Sequence, residues 1–69
     1  MTNMAYIYKT EDVFTDDIRF EMKTPYRHLI VVCLEACAYS VMQKVEAGWH
    51  EMQVCEGLLE ARKWAFKQL

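Results

Sequence analysis

The chain has 69 residues, of which 54% are apolar and nine are aromatic, with a formal charge of −2 and an isoelectric point near 5.6. That length permits one domain, residues 1–69, whose folding hides only about 60% of the surface exposed by the unfolded chain. The apolar content excludes intrinsic disorder. The charge argues against nonspecific nucleic-acid binding, which needs a clustered basic surface.

The excess negative charge lies early in the chain. Glu11, Asp12, Asp16, Asp17 and Glu21 face only Lys9, Arg19 and Lys23, whereas the remaining residues balance. Residues 4–8 have strand-forming side chains, and residues 17–22 alternate cleanly, with Ile18, Phe20 and Met22 to one side. Both segments are expected to be strands, paired as a hairpin or across a dimer axis. The acidic connection between them carries Phe14. A negative segment with one apolar point suits docking on a basic surface of another protein.

Thr24-Pro25 matches a helix start, a capping hydroxyl followed by a residue with no N–H to satisfy. Ile30, Leu34, Cys37, Val41 and Val45 then fall on one stripe, so a helix is predicted over about 25–46. Gly48 is placed to end it. A second helix is predicted over about 50–68, with Met52, Cys55, Leu59 and Phe66 on its apolar face. The resulting fold class is α+β: short N-terminal strands followed by an antiparallel two-helix hairpin. Leu29 to Leu34 is apolar almost all round such a helix. A homodimer seam at Val31, Leu34, Ala38 and Met42 is therefore expected.

No constellation points to catalysis. Cys33 and Cys37, one helical turn apart, and Cys55 lack the turn spacing of a zinc site, so reduced, structural thiols and no metal are expected. Ser40 is the single serine, with no strained turn to present it to His50 or Glu46, and His28 reads as a surface group. No cofactor motif or glycine loop is present, so a non-enzyme is expected. No basic segment followed by an apolar run opens the chain, and the longest apolar run is far below the roughly 20 residues of a membrane span. A cytoplasmic location in a host cell follows as the expectation.

Tyr39 and Trp64 fall off the predicted apolar stripes, among polar neighbours, and Trp49 sits in the connection between the predicted helices; all three are candidate partner contacts. Phe14, Asp16 and Asp17 complete the candidate binding set.

Over its whole length, including Met-Gln-Lys-Val-Glu-Ala-Gly-Trp-His-Glu at 42–51, the chain resembles small phage-encoded anti-quorum-sensing proteins. The resemblance implies an inhibitor that binds a LuxR-type transcription activator such as LasR and blocks its DNA binding. It also implies a second target, the type IV pilus assembly ATPase PilB, and an effect on twitching motility. Two alternatives remain. One is an inhibitor of another host defence or motility enzyme. The other is a dimeric DNA-binding regulator, since strand, helix, helix is the order of ribbon-helix-helix repressors. Against the latter, Asp17 and Glu21 would repel phosphate from the outward strand face.

Overall fold

The computed structural model describes residues 17–69 and, as backbone only, residues 7–8. These form five strands and one helix: β1 (Ile7–Tyr8), β2 (Ile18–Lys23), β3 (His28–Glu35), β4 (Ala38–Val45), β5 (Gly48–Cys55) and α1 (Leu58–Phe66). β2 to β5 make an antiparallel meander, and β1 adds to its far edge, giving the order β1-β5-β4-β3-β2. The two-helix hairpin is therefore corrected: residues predicted as the first helix form β3 and β4, and the first half of the predicted second helix is β5. The two N-terminal strands also do not pair with each other, because β1 pairs with β5 and β2 with β3. The rest of the expected strand at 4–8 lies outside the described residues.

The physical reason is two-sided burial of β3. Leu29 and Val31 point to one face of the sheet with exposures of 0%, and Ile30 and Val32 point to the other at 1% and 5%. A strand covered on both faces has a continuous apolar run, which matches a buried helix equally well in periodicity. Its β-branched Ile30, Val31 and Val32 favour the extended form, where the branched side chains pack on the pleat.

The helix signals are used for turns. The Thr24 hydroxyl oxygen accepts from the backbone N–H of Tyr26 at 3.2 Å and of Arg27 at 2.9 Å, as a helix cap would. The Thr24 N–H donates to the Arg27 carbonyl at 2.7 Å, closing the turn back into β3 instead. Glu35 pairs with Ala38 and Val45 with Gly48, so the next two turns have only two central residues each. Gly48 has φ 145°, a backbone conformation that side chains other than glycine's rarely adopt.

α1 crosses β3, β4 and β5. Its contact residues are Ala61 and Ala65, both fully buried, and their small size lets the helix approach Leu29, Val31, Val41, Met22 and Cys55 closely. Leu58 and Trp64 flank this contact, Phe20 meets Phe66 with ring centroids 5.8 Å apart, and the Arg62 guanidinium lies 4.3 Å from the Phe20 ring centroid. Ile30, Val32, Met42 and Trp49 form a second cluster on the opposite face. A register shift between Ile18 and Phe20 sends Ile18 to that second cluster, whereas Phe20 and Met22 stay with the helix.

The all-round apolar stretch that motivated a dimer seam is thus accommodated within one chain. Val31 and Met42 are buried in the two clusters, Ala38 is half-buried, and Leu34 is 45% exposed at a second register shift. Val31→Asp is expected to unfold the protein, because a buried carboxylate there has no partner. Leu34→Asp should shift the denaturation midpoint by less than about 1 kcal/mol equivalent. Urea unfolding of the two variants checks this; equal damage from both would contradict the placement.

Candidate functional site

The meander sorts the loops to two ends. The β2–β3 turn, the β4–β5 turn and the C-terminus of α1 gather at one end. An Arg27 guanidinium N–H donates to the Gln68 carbonyl and ties the first of these to the last. The β3–β4 turn, the β5–α1 link and the start of β2 gather at the other.

Charge follows the same division. Asp17, Glu35, Glu56 and Glu60 stand at the second end, with Arg19 the one cation among the described residues there. Glu60 in the first turn of α1 also meets the positive end of the helix dipole. Three apolar side chains are exposed at this acidic end, Leu34 at 45%, Val54 at 47% and Leu59 at 64%. Lys23, Arg27, Lys44 and Lys67 stand at the first end, with Glu21 and Glu46 as exposed acids there. Among the described residues, charge is thus separated along the strands.

The sequence-predicted contacts are dispersed by this fold. Tyr39 is a half-buried residue of β4 that packs against the helix-side cluster. Trp64 packs against the same cluster, and Trp49, 8% exposed, belongs to the cluster on the opposite face. Tyr39 was placed on the polar face of a helix that does not form, Trp49 in a connection that is instead the start of β5, and Trp64 stays on a helix, α1, but packs against the core. Asp17 is half-buried at the start of β2, and Phe14 and Asp16 lie outside the described residues. Glu35 and Glu56 were not singled out from the sequence, and Leu34 was singled out only for a dimer seam. They are distant along the chain, and only the β3–β4 turn and the end of β5 bring them to one end.

Across the second face run two polar contacts. His28 Nε2 lies 2.5 Å from a Glu21 carboxylate oxygen, and the His28 ring meets Trp49 edge-on with centroids 5.1 Å apart. The Lys44 ammonium sits 5.3 Å from the Trp49 ring centroid. The fully buried Ser40 hydroxyl donates to Glu51 at 2.6 Å, so it is held by a carboxylate and satisfied. His50, on β5, and Glu46, in the β4–β5 turn, are not partners of that hydroxyl.

Among the described residues, no three His, Cys, Asp or Glu side chains come together to hold a metal. The three thiols are free: Cys37 is exposed in the β3–β4 turn, Cys33 is half-buried on β3 and Cys55 is buried on β5. They do not share a helix face. Burial raises the Cys55 thiol pKa above its ordinary value, and the Glu60 charge adds to the effect. No described helix is long and apolar enough to cross a membrane.

Comparison with protein-family models, with curated proteins and with solved structures returns no match. The functional reading rests on the sequence and the geometry.

Iodoacetamide labelling followed by mass spectrometry should modify Cys37 first. Cys55 should react only when the protein is unfolded, since the thiolate is the reactive form and burial suppresses it. Labelling of Cys55 in the native protein as fast as Cys37 would contradict its placement under α1.

Proposed function

We propose that the protein works by binding another protein and occluding its surface, without chemistry of its own. The observation that carries this reading is the acidic end, where Asp17, Glu35, Glu56 and Glu60 stand at the same end of the sheet as the exposed Leu34. A negative surface with an apolar point complements the basic face that a DNA-binding domain presents to its operator. The sequence places this role on Phe14, Asp16 and Asp17; in the folded chain Leu34 supplies the apolar point and the carboxylates come from three separate segments.

The narrower reading is an inhibitor of a LuxR-type activator such as LasR, acting in the cytoplasm of a host cell. It is supported by the resemblance together with this charge complementarity. The pilus assembly ATPase PilB, as a second target, is supported by the resemblance alone. A homodimer also stays a proposal, and the exposed Leu34, Val54 and Leu59 are the apolar side chains at the acidic end available for it. The ribbon-helix-helix alternative loses its basis, because the strand carrying Asp17, Arg19 and Glu21 is followed by three more strands.

A mobility shift with a purified LuxR-type activator on its operator fragment tests the proposal. The protein alone should leave the DNA unretarded, and added to the activator–DNA complex it should release the DNA. Glu35→Lys with Glu56→Lys should weaken that release by about tenfold or more, since both attraction and encounter depend on the acidic end. Retardation of DNA by the protein alone, or full potency of the double variant, would contradict it.

A further inference from the structure

We infer that the opposite, basic end is a second docking site, one that takes an acidic segment of a partner protein. The β2–β3 turn, residues 23–28, and Lys44 from β4 enclose a shallow open depression of about 430 Å³. Lys23, Arg27, His28 and Lys44 line it, so four nitrogen-bearing side chains converge on one concavity in a chain whose net charge is negative.

The depression is built before any ligand arrives. The Thr24 hydroxyl binds two backbone N–H groups of the turn, and Arg27 is tied to the Gln68 carbonyl. The His28 ring is fixed by Glu21 on one side and the Trp49 edge on another, and Lys44 lies over Trp49. Side chains already held in place lose less conformational freedom on binding, which raises the affinity a small surface can reach.

The surrounding surface decides between a protein and a nucleic acid. Tyr26 stands 91% exposed at the tip of the turn, and Phe66 and Leu69, both about half exposed, lie at the neighbouring helix terminus. A single-strand groove offers successive aromatic platforms along a cationic track. Here there is one projecting aromatic, beside aliphatic and aromatic surface that phosphate groups would not use. Mixed cationic and apolar surface suits a segment in which carboxylates alternate with apolar side chains. Among the described residues, the exposed carboxylates nearby are Glu21, engaged by His28, and Glu46, in the adjoining turn.

The experiment uses the full chain and a fluorescein-labelled synthetic peptide of alternating Glu and Leu, read by fluorescence anisotropy, with labelled oligothymidylate as the second probe. The peptide should bind saturably, and less tightly as salt is raised. Lys23→Glu with Lys44→Glu should weaken it by about tenfold or more. Tyr26→Ala, a change at an almost fully exposed side chain that leaves the fold intact, should weaken it about fivefold or more. Glu35→Gln with Glu56→Gln, at the far end, should leave it unchanged. The inference is overturned if the peptide does not bind, if neither basic-end variant weakens it, if the far-end variant weakens it equally, or if oligothymidylate binds more tightly. None of these measurements involves an activator, so a failure here and a failure of the acidic-end reading are separable.

Discussion

Strand β3 is apolar on both faces, and the rest of the domain is arranged to keep water from it. Leu29, Ile30, Val31 and Val32 are consecutive and all buried. Burying each contributes about 1.5–3 kcal/mol relative to exposure, a large share of what a chain of this size can accumulate. One face is closed by α1, and only the two alanines make that closure possible. A larger residue at Ala61 or Ala65, each with no exposure, would lift the helix off Leu29, Val31 and Val41. The flanking strands satisfy the β3 backbone on both edges, β2 on one and β4 on the other.

The distribution of charge is a consequence of the same arrangement. An up-and-down sheet sends alternate turns to opposite ends, so residues far apart in sequence become neighbours when they occupy alternate turns. Lys23 and Arg27 join Lys67 in this way, and Glu35 joins Glu56. A domain of five strands and one short helix therefore presents two unlike surfaces. Both carry exposed apolar side chains beside the charges: Leu34, Val54 and Leu59 at the acidic end, Tyr26, Phe66 and Leu69 at the basic end. The proposed anti-activator role uses the first of these, and the second is the place for a partner of opposite charge.

Some of this was legible in the sequence and some was not. The alternation of residues 17–22 corresponds to β2, and Thr24-Pro25 does mark a boundary where a hydroxyl caps backbone N–H groups. The helices failed for two reasons. A strand buried on both faces has no alternation to distinguish it from a buried helix, and the two-residue turns Ala36-Cys37 and Glu46-Ala47 contain neither the glycine nor the asparagine that usually announces a hairpin. Without that punctuation, Leu29 to Val45 reads as one continuous element. The density of β-branched residues in Ile30, Val31 and Val32 was the available contrary signal. The grouping of the binding candidates changed with the elements: Tyr39 lies on a strand, Trp49 at the start of another, and Trp64 on α1 packed against the core, so the three do not share one exposed face. The two charged ends had no signature in the sequence, because they are produced by topology and not by any local run.

The central claim is that residues 28–45 are two paired strands and not one helix. Nuclear Overhauser contacts in the isotope-labelled protein decide this directly. The account predicts cross-strand contacts between Val31 and Val41 and between Ile30 and Met42, the residues paired across β3 and β4. Continuous backbone contacts between each residue and the one three positions later, running through residues 28–45 without those cross-strand pairs, would contradict it.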